Sequence, residues 1–267
     1  MIPMQRRFTG RAMLISGASG IAAAAARIAA AEGASVFITS LGDDECVMLV
    51  NELRALGARA ESFTADLTDS QAVEEAVDSC VEAYGRIDAL FNVAGISGRR
   101  FGDGPLHECS EEGWDTTLAV NLKSMFLLTR QVLNQMLGQE PGPNGQRGAI
   151  VNMGSVSAFS PQPDYFAAHA YAAAKGAVES LTKAAASYYA RHRIRVNAIA
   201  PGLVRTPMSR RAQSSEEIMR FIERKQPLLG GIIEPEAAAR AALFLLSDEA
   251  LPVTGEVLAV DAGWRVT

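Results

Sequence analysis

The sequence of 267 residues has few of the residue types that build disulfide frameworks or metal centres. Its three cysteines show no CxxC spacing, and its three histidines have no ligand spacing with one another. These residues are Cys46, Cys80, Cys109, His107, His169 and His192. The pattern predicts the free thiols of a cytosolic protein and no metal site.

Excess positive charge and long apolar runs are also lacking. The chain has 25 Lys and Arg against 30 Asp and Glu, a net charge of -5, whereas a nucleic-acid partner requires a basic face. The most apolar windows, IAAAAARIAAA and ARAALFLL, contain arginine and are too short to span a bilayer. The first 17 residues do not resemble a signal peptide. We expect a cytoplasmic protein with neither a nucleic-acid nor a membrane partner.

Short apolar runs that alternate with longer helical patterns are what the chain does contain. The predicted strands cover 12–16, 34–40, 58–66, 86–95 with its exit loop, 149–155, 193–202 and 256–263. Helical patterns cover 21–33, 43–56, 70–84, 110–137, 170–190 and 234–248. Regular βα alternation predicts an α/β fold, a doubly wound parallel sheet of about seven strands flanked by helices. We expect one domain over residues 1–267.

The stretch ISGASGIA places Gly17 and Gly20 between the first strand and the first helix. Glycine allows the backbone to approach a pyrophosphate, and a helix N-terminus offers free N–H groups. An ordinary βα turn has the same composition, so the loop alone leaves both interpretations open.

A second set of residues separates these interpretations. In chain order it comprises Asp66, the segment Asn92-Val93-Ala94-Gly95, Asn121, Ser155, Tyr171 with Lys175 in YAAAK, and Pro201-Gly202. Together these elements resemble the short-chain dehydrogenase/reductase family, and in particular its 3-oxoacyl-carrier-protein reductase-like members. The resemblance covers nearly the whole chain and implies a single-domain Rossmann fold. It also implies an enzyme that transfers hydride between a nicotinamide and a secondary alcohol or ketone.

The glycine loop departs from the family pattern. Only Ala18 and Ser19 separate Gly17 from Gly20, so the loop is one residue short, and Ala22 stands where the family has a third glycine. We expect the extra methyl group to be tolerated and the deletion to reshape the turn.

Tyr171 and Lys175 are four residues apart and share one face of a helix. A neighbouring ammonium lowers the pKa of a phenol towards the range of acid–base catalysis. Tyr165 competes for this role, but its residue at i+4 is His169, so Tyr171 is the better candidate.

The resemblance assigns the remaining catalytic roles. Ser155 steadies the substrate oxygen, with Ser157 as its neighbouring rival, and Asn121 supports a water-linked proton path to Lys175. Lys175 also binds the nicotinamide ribose. The implied cofactor is NAD or NADP. Ser40 stands where NAD-preferring relatives have an acidic residue, and Leu41 where NADP-preferring relatives often have arginine. The absence of a carboxylate slightly favours NADP. The implied cofactor-binding residues are Gly17, Ser19, Gly20, Ile21, Ser40, Asp66, Leu67, Asn92, Ala94, Gly95, Tyr171, Lys175, Pro201, Gly202, Val204 and Thr206.

Residues 203–231 correspond to the substrate lid of the family and are rich in arginine. The basic residues of this segment are Arg205, Arg210, Arg211, Arg220, Arg224 and Lys225, and Arg99 and Arg100 are expected on the same side of the sheet. These residues could bind an acidic substrate handle, such as the carrier-protein or coenzyme A phosphate of an acyl thioester, although a solvated helix with mixed charges has the same composition. We expect a small alcohol or ketone as substrate. Self-association through the helix at 171–190 would give a homodimer or homotetramer. The alternative function is a dinucleotide-binding sensor or scaffold without turnover.

Overall fold

The computed structural model describes residues 6–267, and a seven-stranded parallel sheet forms its centre. The strands are β1 (Ala12–Ser16), β2 (Ser35–Ser40), β3 (Ala60–Thr64), β4 (Ala89–Asn92), β5 (Gly148–Met153), β6 (Ile194–Pro201) and β7 (Val257–Val260). Their order in the sheet is β3-β2-β1-β4-β5-β6-β7. Every pairing is parallel. This confirms the predicted doubly wound fold.

Helices cover both faces of the sheet, which is why the central strands are continuously buried. The helices are α1 (Gly20–Ala31), α2 (Asp43–Ala55), α3 (Ser70–Tyr84), α4 (Glu111–Leu118), α5 (Ser124–Gly138), α6 (Pro163–Phe166), α7 (His169–Tyr189), α8 (Arg210–Gln213), α9 (Glu216–Lys225) and α10 (Pro235–Leu246). Two apolar clusters, one on each face, form the main core. The strand order reverses between β1 and β4, and this reversal opens a crevice at the carboxyl ends of the strands.

The helix predicted at 110–137 is not uniform. A π-helical turn, Ala119–Lys123, separates α4 from α5 and contains Asn121. The Asn121 side chain donates a hydrogen bond to the carbonyl oxygen of Thr117, four residues earlier, at 2.9 Å. A side chain that takes a carbonyl of the helical ladder favours such a turn, and π turns are frequent at functional sites. The irregular turn therefore sets the direction of Asn121.

Residues 203–231, the predicted lid segment, leave the sheet after β6 and contain α8 and α9. A parallel bridge between Val204 and Ile233 joins the two ends of the segment. The fully buried side chain of Gln226 ties the same base together. Its Oε1 accepts the N–H of Leu203 at 2.5 Å, and its Nε2 donates to the carbonyl oxygen of Gly231 at 2.8 Å. The two ends of the lid segment are therefore held together at the sheet, and the residues between them extend away from it.

None of the helices within residues 6–267 has the length and apolar character needed to cross a bilayer. Within the same residues, His, Cys, Asp and Glu side chains form no cluster of three that could hold a metal ion.

Candidate active site

The glycine loop lies at the crevice and closes through two left-handed glycines. Gly17 has φ 104° and Gly20 has φ 54°, conformations that L-residues rarely adopt. A β-carbon on Gly17 would lie 3.3 Å from the methyl group of Ala22. Ala22 therefore packs directly on the turn, which accommodates the methyl group where the family has glycine. The loop that is one residue short is a tight turn with its backbone exposed to the crevice.

The start of α1 fits a pyrophosphate group. The first N–H groups of a helix have no partner within it, and in α1 these belong to Gly20 and Ile21. Ser19 occupies the N-cap position, yet its side chain makes no capping hydrogen bond to any residue of the described chain. The N–H groups and the helix dipole therefore remain available to an anion. This donor chemistry suits the dinucleotide that the sequence predicts.

Thr206, one of the predicted cofactor-binding residues, lies directly on Gly20. A β-carbon on Gly20 would be 2.9 Å from Cγ2 of Thr206 and 3.1 Å from its Cβ. Pro201 ends β6, and the following Gly202 is packed against the buried Gln226 side chain. The structure thus brings the glycine loop and the start of the lid segment together.

Ser16 is a site residue that the sequence analysis missed. Its Oγ accepts the N–H of Val93 at 2.9 Å and the N–H of Ala94 at 3.1 Å. Ser16 is the last residue of β1 and is 2% exposed, so its hydroxyl fixes the loop after β4 against the glycine turn. The available signal was a hydroxyl side chain that ends a buried apolar strand immediately before Gly17.

Lys175 and Tyr171 project from one face of α7, as the i,i+4 spacing predicts. The Lys175 ammonium is 5.5 Å from the centroid of the Tyr171 ring and donates to the carbonyl oxygen of Met153 at 2.8 Å. The side chain is 3% exposed, and burial lowers the pKa of Lys175 to about 8. A lysine in this state can give up or take a proton close to neutral pH.

One expectation about Tyr171 needs correction. The sequence predicted that the neighbouring ammonium lowers the pKa of this phenol, but burial raises the pKa of Tyr171, and its hydrogen bond with Ser155 acts only partly in the opposite direction. The physical reason is desolvation, which disfavours the phenolate, while the lysine is itself buried and bonded to the Met153 carbonyl oxygen.

Ser155 follows β5 and is 7% exposed. Its Oγ accepts the N–H of Ser157 at 3.2 Å, so the rival serine orients Ser155. The other rival, Tyr165, donates its hydroxyl to Oε1 of Glu217 at 2.8 Å and is therefore engaged with α9. Ser155 is close enough to Tyr171 for its hydroxyl to oppose part of the rise in the pKa of that phenol.

Asn121 lies across Gly95 from Lys175. Its Oδ1 accepts the N–H of Ile96 at 3.2 Å, and its Nδ2 donates to the Ile96 carbonyl oxygen at 3.0 Å. A β-carbon on Gly95 would lie 2.6 Å from Asn121 Oδ1 and 3.8 Å from Lys175 Nζ. Glycine at this position therefore lets Asn121, Lys175 and the loop after β4 meet, and the four predicted catalytic residues border one crevice.

Asp103 is a second residue that the sequence analysis missed. Its carboxylate accepts the N–H of Ala170 through Oδ1 and the N–H of Tyr171 through Oδ2, each at 3.0 Å. The residue is 5% exposed and reaches the start of α7 from the loop after β4. α7 has no side-chain cap from its own N-cap residue, Ala168, so Asp103 supplies one from a distant segment. No local spacing signals a contact over this sequence distance.

The predicted cofactor residues beyond the glycine turn divide into two groups. The side chain of Asn92 is interior, where Nδ2 donates to Thr129 Oγ1 and Asn152 Oδ1, both at 2.9 Å. Any cofactor contact of Asn92 is therefore left to its main chain. Asp66 is exposed at the crevice, with Oδ1 accepting from the main chain and hydroxyl of Thr68. Buried Leu67 follows it.

The residues after β2 leave the ribose region without a carboxylate at the predicted positions. Ser40 ends β2, and Leu41 is 72% exposed. Asp43, in the first turn of α2, accepts the Thr64 hydroxyl at 2.6 Å.

Fold and crevice together define the class of protein, a nucleotide-dependent oxidoreductase of alcohols or ketones. A family model described as enoyl-(acyl carrier protein) reductase matches residues 15–265. The 3-oxoacyl-[acyl-carrier-protein] reductase of Thermotoga maritima is 37% identical over 96% of this chain and 98% of its own. The A-factor type gamma-butyrolactone 1'-reductase of Streptomyces virginiae is 38% identical over 100% of both chains.

Solved structures agree with these sequences. A short-chain type dehydrogenase/reductase from Mycobacterium ulcerans matches with a TM-score of 0.87 and 30% identity, covering 97% of this chain and 91% of its own. The 3-ketoacyl-(acyl-carrier-protein) reductase from Brucella melitensis, complexed with NADH, matches with a TM-score of 0.83 and 30% identity, covering 97% and 99%. The chain belongs to the short-chain dehydrogenase/reductase family and is an NAD(P)-dependent oxidoreductase.

Proposed function

We propose that Tyr171 is the acid–base residue of a reversible alcohol–ketone oxidoreduction, with Ser155, Lys175 and Asn121 completing a catalytic tetrad. The observation that carries this proposal is the buried Lys175 ammonium, which lies 5.5 Å from the centre of the Tyr171 ring and is held by the carbonyl oxygen of Met153, two residues before Ser155. The nicotinamide, when bound, supplies or accepts the hydride. In reduction, Tyr171 donates its phenolic proton to the carbonyl oxygen, and in oxidation it takes the hydroxyl proton.

Each partner of Tyr171 has a physical role in this proton transfer. Ser155 is held by the Ser157 N–H, so it offers a preoriented hydrogen bond to the oxygen on which charge develops. The Lys175 ammonium stabilises the phenolate that remains after proton donation. Because the pKa of Lys175 is about 8, it can also return a proton to Tyr171 near neutral pH. The meeting of Asn121 and Lys175 across Gly95 supports a water-linked path for that proton.

The finer choice of cofactor is NADP. Ser40 and Leu41 place no carboxylate where a 2′-phosphate would be repelled, and Asp43 is held by Thr64. The residues proposed to hold the dinucleotide are those predicted from the sequence. Gly17, Gly20 and Ile21 have the clearest structural support, because their turn and free N–H groups suit a pyrophosphate.

The first experiment is a thermal-unfolding titration with NADH and NADPH separately, since a ligand that binds only the folded state raises its stability. We expect the larger shift with NADPH. A carbonyl panel then compares Tyr171→Phe with Tyr165→Phe as the matched control. Tyr171→Phe should lower kcat by about 10²–10⁴-fold, the usual contribution of an acid–base group. Equal losses in the two variants would contradict the assignment.

The proposed substrate is a small secondary alcohol or ketone, or an acyl thioester of the kind that the name of the Thermotoga maritima relative implies. A cytoplasmic location remains a prediction. The proposed assembly is a homodimer or homotetramer through the outer face of α7, where Ala184 and Tyr188 are exposed. Light scattering of the wild type and of Ala184→Glu tests this, and a wild-type monomer would contradict it.

A dinucleotide sensor without turnover is the alternative function. Cofactor binding without reduction of any carbonyl compound in the panel would support this alternative. The presence of all four tetrad residues at one crevice favours the enzyme.

A further inference from the structure

Two arginines, Arg99 and Arg211, converge on a single neutral oxygen. Nη2 of Arg99 donates to the carbonyl oxygen of Tyr165 at 3.2 Å, and Nη2 of Arg211 donates to the same oxygen at 2.6 Å. None of the ion pairs found within residues 6–267 includes either arginine. Two guanidinium groups therefore share one carbonyl oxygen and lack a carboxylate partner of their own.

This arrangement leaves positive charge uncompensated. Burial lowers the pKa of Arg99, and the charge of Arg211 lowers it further. Asp103 is the nearby carboxylate that acts in the opposite direction, but its two oxygens already accept the N–H groups of Ala170 and Tyr171. Elsewhere in the chain, an arginine such as Arg205 on the same lid segment pairs directly with a carboxylate, here Glu234 at 2.8 Å.

Three segments of the chain meet at the Tyr165 carbonyl oxygen. Arg99 lies in a short 3₁₀ turn after the loop that follows β4, and Arg211 lies in α8 of the lid segment. Tyr165 lies in α6, six residues before Tyr171 in the chain. The ring of Phe166 lies 5.9 Å from the Arg211 guanidinium carbon and supplies an apolar wall. Asp103, which is close enough to Arg99 to raise its pKa, also accepts the N–H of Tyr171 at 3.0 Å, so the arginine pair lies near the proposed acid–base residue.

We propose that Arg99 and Arg211 together bind an oxyanion, a carboxylate or a phosphate, carried by the substrate several bonds away from its carbonyl group. Two guanidinium forks match the geometry of such a group, which would replace the Tyr165 carbonyl oxygen as their shared acceptor. The inference rests on the proposed function and adds the substrate class to it. It also narrows the set of arginines predicted from the sequence. Arg100 lies over the Phe101 ring, and Arg210 lines a cleft of about 350 Å³ together with Gly20 and Thr206.

The first arm of the test compares 4-oxopentanoate with its methyl ester, which share a ketone and differ in charge. The readout is the ratio of kcat/KM for acid over ester. We expect the wild type to prefer the acid and Arg99→Gln and Arg211→Gln each to lower the ratio by about tenfold, the effect of losing one charge-assisted hydrogen bond. Arg191→Gln is the matched control, because Arg191 also donates to a tyrosine carbonyl oxygen but at the far end of α7. Its ratio should equal that of the wild type.

The second arm needs no turnover. Thermal unfolding of the cofactor-loaded protein is followed against inorganic phosphate, glutarate and chloride at constant ionic strength. Phosphate or glutarate should raise the Tm more than chloride does in the wild type and Arg191→Gln, but not in the two pair variants. The larger of the two shifts identifies the oxyanion.

The outcomes separate the two proposals. A wild type that prefers the ester, a response no greater than that to chloride, or equal losses in Arg191→Gln would each overturn the anion site. A normal anion response without reduction of any ketone would leave the site standing and instead contradict the proposed function.

Discussion

The contact of Asp103 with the start of α7 makes a sharp prediction about catalysis. In Asp103→Asn the side chain keeps its shape, but one of its two acceptor oxygens becomes an NH₂ group that faces a main-chain N–H. That N–H, of Ala170 or Tyr171, is then left without its partner at a residue that is 5% exposed. Leaving a buried donor unsatisfied costs about 1–3 kcal/mol. We therefore expect the free energy of unfolding to fall by about that amount.

The second expected effect is on the reaction. Because Tyr171 loses a fixed main-chain contact, kcat should fall by about tenfold or more, as small displacements of reacting groups are costly. The dissociation constant for NADPH should stay within about twofold, since no donor at the α1 N-terminus changes. Denaturant unfolding measures the free energy, initial rates with a ketone that the wild type reduces give kcat, and cofactor titration gives the dissociation constant.

Asp69→Asn is the matched control for this experiment. Asp69 also accepts two N–H groups at a helix start, those of Gln71 and Ala72, but it is exposed and α3 carries none of the proposed catalytic residues. Asn and Asp are similar N-cap residues, so stability and kcat should both stay close to wild type. An Asp103→Asn variant that loses stability but retains its full kcat would show that Asp103 does not position Tyr171.

Three further predictions concern the glycine turn, the buried lysine and the lid. Gly20→Ala should lower the free energy of unfolding by about 1–2 kcal/mol, because the backbone of Gly20 is left-handed. It should also weaken cofactor binding, because the new methyl group would meet Thr206. Gly57 is also left-handed but has open space around it, so Gly57→Ala should lower stability alone. The pKa of Lys175 in the folded chain, about 8, lies below its ordinary 10.5, so the unfolded chain binds more protons between these values. The wild type should therefore gain up to about 3 kcal/mol of unfolding free energy relative to Lys175→Met as pH rises through this window, measured by denaturant melts, and a constant gap would contradict the shift. Gln226→Leu leaves the Leu203 N–H and the Gly231 carbonyl oxygen at the base of the lid segment without partners. The KM for the ketone should therefore rise, and protease should cleave the lid segment faster. Unchanged KM and cleavage would refute the role of this side chain.

The sheet could be predicted from sequence because its information is local. Apolar runs bounded by glycine mark the strands, and βα alternation alone implies parallel pairing. The i,i+4 spacing of Tyr171 and Lys175 likewise places both side chains on one helix face whatever the rest of the chain does.

The features of the site that the sequence did not predict depend mainly on contacts between distant segments. Asp103 reaches α7 across 67 positions, and Arg99 meets the Tyr165 carbonyl oxygen across 66. The raised pKa of Tyr171 depends on burial, which a spacing pattern does not contain. The sequence did not predict the π turn at Asn121 because the residues on both sides of it continue a helical pattern.

The central claim is that Tyr171 drives ketone reduction with a bound nicotinamide cofactor. Its most direct test is deuterium transfer from NADPH labelled at C4 of the nicotinamide, or from labelled NADH if that cofactor binds more tightly. Label in the product alcohol is detected by mass spectrometry for the wild type and Tyr171→Phe. We predict labelled alcohol from the wild type and at least about a hundredfold less from Tyr171→Phe in the same time, with both proteins saturated with cofactor. Label transferred by Tyr171→Phe at the wild-type rate, or none by a cofactor-loaded wild type with any ketone of the panel, would contradict the account.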